Sequence, residues 1–161
     1  MKKLFLFFMA ILLITGCSTD AKSEKNKSSV EPVKPITKKE KVGDNDVIVN
    51  LFYWNSCSHC HEEMEWLKYI DEKYENVSVN YYEITEYNDL DQKVRNALSI
   101  ESTSVPLTII GTDYYIGFGD SSKAKLMNSI ENNASFKSCN IVDKIANDED
   151  FSSCYDINVN E

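Results

Sequence analysis

The sequence predicts an α/β domain built on a mixed four-stranded sheet with helices on both faces. Two features predict this class. A strand, a helix and a second strand open the folded region, and such a unit places its two strands parallel in one sheet. Later, a short turn at Gly111 separates two further apolar runs, and so short a connection requires an antiparallel hairpin. One helical segment lies between the second strand and this hairpin and another follows the hairpin, so the predicted order is β-α-β-α-β-β-α.

The first half of the domain supplies two strands and a helix. Residues 47–54 are rich in β-branched and aromatic side chains, which is typical of a buried central strand. Within residues 60–74, apolar side chains recur at the spacing of a helix, at Met64, Leu67 and Ile70. Residues 77–84 alternate between two sets of side chains and predict the second strand.

The second half adds a helix, a hairpin and a last helix. The corresponding ranges are 88–98, then 105–110 with 114–118, and finally 121–132. For the last helix, Ser121 or Ser122 is the expected N-cap. Its expected buried face carries Ala124, Met127 and Ile130.

Composition limits the function classes. The chain has 161 residues, of which 42% are hydrophobic, and a formal net charge of −9. That length and hydrophobic content suffice for one domain with a real core. The acidic balance argues against nucleic-acid binding, which needs a basic face.

The first residues predict export and anchoring. Lys2 and Lys3 precede an apolar run over 4–14, which suits a signal peptide and is shorter than the roughly 20 residues of a spanning helix. The run ends in Ile-Thr-Gly-Cys at Cys17, which resembles the bacterial lipobox, with Ile for the commoner Leu. The resemblance implies cleavage of a 1–16 signal peptide, a diacylglycerol on Cys17 and a position on the extracytoplasmic face of the cell membrane. The alternative is an ordinary signal peptide or uncleaved anchor with an incidental cysteine.

The next segment, 17–45, is predicted to be a lipidated, flexible tether. It is rich in Ser, Lys and Glu and nearly lacks apolar residues, so it cannot bury enough surface to fold. Its lysines lie either in solvent or along an anionic membrane surface. The predicted boundaries that follow are 46–134 for the folded domain and 135–161 for a C-terminal extension.

The motif that carries chemistry is Cys57-Ser58-His59-Cys60, at the junction of the first strand and the first helix. At a helix N-terminus, unpaired backbone N–H groups and the positive end of the dipole stabilise a thiolate over a thiol. The thiolate is the form that attacks disulfides. The second cysteine lies within the first turn, close enough to release a mixed disulfide.

This arrangement resembles the thioredoxin superfamily over residues 46–132. The matching segments are 52–54, 57–60, 104–108 and 116–118. The resemblance implies a thioredoxin-like fold and protein thiol–disulfide oxidoreductase activity, with Cys57 as nucleophile and Cys60 as resolving cysteine. It also implies a cis Val105–Pro106 bond beside the cysteines, with the Val105 backbone pairing with substrate.

The resemblance implies no cofactor and two kinds of protein partner. The substrates would be cysteine-containing exported proteins, and a membrane electron carrier would recycle the redox pair. Tyr53, Trp54 and Phe118 are candidates for the apolar surroundings of a polypeptide substrate. His59 can stabilise the Cys57 thiolate and make the pair more oxidising. DsbA-type oxidases share that histidine, so the sequence favours oxidation.

Three positions depart from the family pattern. Ser56 replaces the Trp of thioredoxins, and Ser58 replaces their Gly or the Pro of DsbA-type oxidases. Leu51 stands where thioredoxins have a buried acid, and Glu62 or Glu63 are the acids that could replace it.

Other interpretations of the same cysteines remain open. With His61, the motif satisfies the C-x-x-C-H pattern of covalent haem attachment, in which His61 would be the axial ligand. A structural zinc site would need a further ligand such as Cys139 or Cys154. A third alternative is a binding lipoprotein of this fold whose Cys57–Cys60 disulfide does not turn over.

Cys139 and Cys154 lie beyond the last predicted core helix. With Cys17 lipidated and the motif paired, they are the two cysteines that remain. An oxidising compartment therefore predicts a structural disulfide between them, with a second redox pair as the alternative. Ile141, Val142 and Ile145 are expected to form a short helical turn against the domain.

Overall fold

A four-stranded mixed sheet forms the centre of the structure, a computed structural model that describes residues 40–136 and 139–156. The strands are β1 (Val47–Tyr53), β2 (Val77–Glu83), β3 (Leu107–Ile110) and β4 (Asp113–Ile116). Their order in the sheet is β2-β1-β3-β4. The β1–β2 pair is parallel, whereas β1–β3 and β3–β4 are antiparallel. The predicted fold class, a mixed four-stranded sheet of the thioredoxin-like type, is confirmed.

Helices cover both faces of this sheet. They are α1 (Ser58–Lys73), α2 (Asn88–Ala97), α3 (Asp120–Ser135) and α4 (Ile141–Ala146). A single 3-10 turn follows at Ser152–Cys154. Within the described ranges, no helix is both long and apolar enough to cross a membrane.

The first face of the sheet is covered by α1 and α3. Leu67 and Ile70 of α1 and Leu126 and Ile130 of α3 pack with alternate residues of β1 such as Leu51. Most of these side chains are fully buried, and each contributes about 1.5–3 kcal/mol relative to an exposed position. This packing holds α1 across the sheet with its N-terminus at the end of β1.

The second face is covered by α2 and by the C-terminal extension. Val142 and Ile145 of α4 pack with Phe52 of β1 and Ile109 of β3. The predicted helical turn against the domain is therefore α4. Asn140, the N-cap of α4, also accepts a hydrogen bond from the side chain of buried Asn50 at 3.1 Å. The extension completes the core on this face.

Some local predictions were wrong. Helix α3 begins at Asp120 after Gly119, which makes no side-chain cap, so neither Ser121 nor Ser122 is the N-cap. Ile130 is buried as predicted and Met127 is partly buried against the core, but Ala124 is exposed, and the helix also buries Leu126, Ser129 and Ala134. The helical spacing left the edge of the buried stripe open between Ala124 and Leu126, and the position of α3 over β1 and β3 buries Leu126.

The predicted tether boundary also differs from the described contacts. Glu40 forms a parallel bridge with Tyr74, and the side chain of Asn76 binds the backbone of Val42, Gly43 and Asn45. Contact with the domain therefore begins inside the segment expected to be tether. The predicted signal peptide, Cys17 and residues 17–39 lie outside the described residues.

Candidate active site

Cys57 occupies the N-cap of α1. Its Sγ accepts a hydrogen bond from the Cys60 backbone N–H at 3.2 Å, and its own N–H donates to the Trp54 carbonyl at 2.9 Å. The two cysteines form a disulfide with 5.2 Å between their Cα atoms. Cys60 is fully buried, while Cys57 is partly exposed. An attacking thiolate therefore reaches the Cys57 sulfur and not the Cys60 sulfur.

Val105 and Pro106 lie directly beside the disulfide. The bond between them is cis, and the Val105 carbonyl oxygen is 3.9 Å from Cys57 Sγ. Pro106 is buried, and its carbonyl accepts the Gly117 N–H at 2.8 Å. Val105 itself is partly exposed, so its backbone adjoins the sulfur at the surface.

Glu83 holds the loop between β1 and α1. Its Oε1 accepts the Asn55 N–H at 3.2 Å, and its Oε2 accepts the Thr85 N–H at 2.7 Å and the Thr85 hydroxyl. The Thr85 hydroxyl and the backbone N–H groups lower the pKa of Glu83 because they favour its charged form. This carboxylate at the end of β2 therefore positions the residues that precede Cys57.

Both histidines of the motif have partners. His61 Nε2 lies 2.8 Å from the Asn55 carbonyl oxygen, so its ring folds back onto the β1–α1 loop. As an axial haem ligand His61 would first have to leave this contact. His59 Nδ1 is 3.5 Å from the Glu62 carboxylate, and both of these side chains are exposed. The effect of His59 on the Cys57 thiolate stays a prediction.

Glu63 is a buried acid behind the disulfide. It lies three residues after Cys60, on the same face of α1, and its side chain is only 1% exposed. Thr108 donates its hydroxyl to Glu63 Oε1 at 2.5 Å, and Oε2 has no hydrogen-bond partner among the described residues. Burial raises the pKa of Glu63 to about 7, and the Thr108 hydrogen bond opposes that shift.

Glu63 supplies a buried acid close to Leu51, the position at which the sequence lacks one. Leu51 pairs with Thr108 across β1 and β3, and Thr108 binds the Glu63 carboxyl. The Glu63 carboxyl thus lies next to the β1–β3 pair at Leu51, but it comes from the helix. The sequence named Glu63 only as one of two substitutes, because burial of this helix position depends on how α1 lies on the sheet.

The aromatic residues beside the motif divide into core and surface. Trp54 is 48% exposed at the end of β1, whereas Phe118 is buried and packs against Trp66 at a centroid distance of 5.9 Å. Tyr53 packs against the core. Of the three predicted substrate-facing aromatics, Trp54 is therefore the one placed at the surface.

Cys139 and Cys154 form the second disulfide, with 5.5 Å between their Cα atoms. Cys154 is buried among the apolar residues of the second face. Across the described parts of the chain, no three His, Cys, Asp or Glu side chains are grouped so that they could hold a metal ion.

Solved structures similar to this chain are thioredoxins and a glutaredoxin. Thioredoxin of Malassezia sympodialis is 15% identical, with a TM-score of 0.44, over 56% of this chain and 79% of its own. Mitochondrial thioredoxin 3 of Saccharomyces cerevisiae is 21% identical, with a TM-score of 0.41, over 58% and 93%. A glutaredoxin of Archaeoglobus fulgidus is 23% identical, with a TM-score of 0.36, over 52% and 86%. No protein-family model and no curated protein matches the chain.

The strand order, the helices on both faces and the residues beside the motif define a thioredoxin-like fold. Cys57 and Cys60 stand at CxxC spacing where β1 is followed by α1. This combination supports thiol–disulfide oxidoreductase activity.

Proposed function

We propose that the protein is a membrane-anchored, extracytoplasmic thiol–disulfide oxidoreductase that exchanges disulfides with exported proteins through Cys57 and Cys60. One observation carries the proposal: Cys57 is partly exposed at the N-cap of α1, while its partner Cys60 is fully buried. A substrate thiolate can therefore attack the Cys57 sulfur but not the buried Cys60 sulfur. When Cys57 is reduced, the N-terminus of α1 stabilises its thiolate.

In the oxidising direction, a substrate thiolate attacks Cys57 Sγ, and the Cys57–Cys60 bond breaks. Its electron pair goes to the Cys60 sulfur, which takes up a proton. A second substrate thiolate then attacks the substrate sulfur of the mixed disulfide and releases Cys57 as a thiolate. Two electrons have passed from two substrate cysteines to the redox pair, and a membrane electron carrier accepts them in the recycling step.

Glu63 exchanges the proton of Cys60. A carboxyl group with a pKa of about 7 is present in both protonation states near neutral pH, which suits a general acid and base. It donates a proton when Cys60 leaves the disulfide and accepts one when Cys60 re-forms it. Thr108 orients the carboxyl through Oε1.

The anchor is proposed on Cys17, with the 18–39 segment between the lipid and the domain. The support is the run Ile-Thr-Gly-Cys after a short apolar stretch. Anchoring would keep the redox pair near a membrane electron carrier and near exported proteins as they fold. Cys17→Ser should release the protein from the membrane fraction of expressing bacteria, and retention of the variant there would contradict the anchor.

Exchange is tested with the full-length chain in detergent, using a peptide that contains two cysteines. The wild type should oxidise the peptide, and Cys57→Ser should abolish the reaction. Cys60→Ser has lost the disulfide, so it is mixed instead with the oxidised peptide, whose disulfide the Cys57 thiolate attacks; the variant should accumulate the mixed disulfide, detectable by mass, because no Cys60 thiolate is present to resolve it. Double replacement of Cys139 and Cys154 by Ser is the matched control and should retain exchange. Absence of exchange in the wild type would favour the binding lipoprotein, and a haem absorption band would favour the cytochrome.

A further inference from the structure

The segment between α2 and β3, which we call the 99–105 loop, ends at the redox site. It starts with Ser99 in the left-handed region at φ +54°, which closes α2. There the Ile100 N–H donates to the Arg95 carbonyl at 2.8 Å, as in a Schellman motif. Six residues after Ser99, the Val105 carbonyl lies 3.9 Å from Cys57 Sγ.

The Arg95 side chain holds the middle of this loop. Nη1 donates to the Ser102 carbonyl at 2.5 Å, and Nη2 donates to the Ser104 carbonyl at 3.3 Å. Nε donates to both carboxylate oxygens of Asp91, at 2.8 and 3.0 Å. Arg95 is only 6% exposed, so its charge is removed from water and each arm of the guanidinium is used.

The bond to Ser104 bears on the surface beside Cys57. The Ser104 carbonyl and the Val105 N–H belong to one planar trans peptide, in which they point in opposite directions. Holding the carbonyl on Arg95 therefore turns the Val105 N–H away from the guanidinium. The Val105 carbonyl adjoins the Cys57 sulfur, and both Ser104 and Val105 are at least partly exposed, so a polypeptide whose cysteine approaches that sulfur passes this part of the loop.

We propose that Arg95, held in place by Asp91, is a positioning residue that sets the 104–105 backbone for polypeptide substrates. The inference rests on the proposed function, because it concerns the substrates of the same redox pair. Arg95 acts through two carbonyl groups of the loop, those of Ser102 and Ser104. A small dithiol needs only access to the Cys57 sulfur, so its reaction does not depend on the loop backbone. A peptide needs access to the sulfur and also a correctly placed loop backbone to lie against.

The test compares two reductants of the oxidised full-length chain. Second-order rate constants are measured with a cysteine-containing peptide and with dithiothreitol. Arg95→Met should lower the rate constant for the peptide by about an order of magnitude or more, as expected for the loss of hydrogen bonds to a charged group. Its rate with dithiothreitol and its equilibrium with glutathione should stay near those of the wild type. Arg95→Lys keeps a positive charge beside Asp91 but loses the forked guanidinium that binds the two loop carbonyls. Its rate constant with the peptide should therefore lie between those of Arg95→Met and the wild type.

Lys93→Met is the matched control. Lys93 lies on the same helix, but its Nζ binds the Asp148 carboxylate at 2.6 Å and the Ala146 carbonyl at 3.3 Å, away from the loop. Both rates should be unchanged in this variant. If Arg95→Met does not fold, Arg95→Lys, which keeps a positive charge beside Asp91 but loses the fork to the loop carbonyls, carries the comparison alone. Its effect should have the same selectivity and a smaller size.

The outcomes separate the two proposals. If the wild type reacts with neither reductant, the proposed function fails. If the wild type reacts with both reductants and the Arg95 variants slow both reactions equally or neither, the role of Arg95 is refuted while the oxidoreductase stands. Selective loss of the peptide reaction supports the positioning role.

Discussion

Replacing Glu63 with Gln should stabilise the oxidised protein at pH 8 by up to about 3 kcal/mol and change its stability little at pH 4. The pKa of Glu63 is raised from 4.5 to about 7, and one pKa unit corresponds to about 1.36 kcal/mol. Between pH 4.5 and about pH 7, Glu63 keeps its proton in the folded state and has lost it in the unfolded state. The free energy of unfolding of the wild type therefore falls as pH rises through this window, and the loss is complete above pH 7.

Glutamine is the appropriate substitution because it mimics the protonated acid. Its carbonyl oxygen can accept the Thr108 hydroxyl, as Oε1 does. Its amide takes the place of Oε2, which has no hydrogen-bond partner among the described residues. The acid hydroxyl and the amide are both unsatisfied donors at that point, so their burial costs nearly cancel at low pH.

Urea unfolding followed by tryptophan fluorescence measures the difference between variant and wild type from pH 4 to pH 8. The change of this difference with pH isolates the titration of Glu63 from that of other groups. Glu65→Gln, which alters an exposed acid of the same helix, is the control and should leave the free energy of unfolding close to that of the wild type. A Glu63→Gln difference that is constant with pH, or a variant less stable than the wild type at pH 8, would refute the reasoning.

Three further predictions concern the site and the core. Glu63→Gln should slow exchange of the redox pair near pH 7 by about one to two orders of magnitude, since Cys60 loses its proton partner; an unchanged stopped-flow rate would contradict this role. Replacing Cys139 and Cys154 by Ser should lower the free energy of unfolding by about 3 kcal/mol, because the bridge closes a 15-residue separation, and should leave exchange intact; loss of exchange in a folded variant would instead indicate a relay pair. Gly111→Ala should destabilise the protein by about 1–2 kcal/mol in urea, because φ is +59° and the new Cβ would lie 2.0 Å from Asn133 Oδ1; a neutral result would mean that the hairpin rearranges.

Local patterns predicted the elements that carry the redox pair. Residues 47–54 are apolar on both sides because β1 is central and covered on both faces, and that property is visible in the residues themselves. The hairpin at Gly111 follows from a turn too short for any other connection. The position of the motif cysteines at the start of a helix is also predicted by local sequence, because the strand, the turn and the helix follow each other within a few residues.

Choices between equivalent faces were not visible in the sequence. Helix α3 could bury Ala124 or Leu126, and the helical spacing fits both stripes. Glu63 could be exposed, as Glu62 and Glu65 are, because acidic residues on helices usually face water. Its burial results from the way α1 crosses the sheet above Thr108.

By itself, therefore, the sequence determined the fold class and the redox pair at the helix N-terminus, because both depend on residues that are close along the chain. The cis Val105–Pro106 bond beside the cysteines was expected from the family resemblance and not from a local pattern, and only the tertiary structure decided that Glu63 is the acid buried in the core. Val105 is 48 residues from Cys57, and Glu63 meets Thr108 across 45 residues. Such contacts depend on how helices pack on the sheet, which is the sum of many weak interactions across the core and leaves no local pattern.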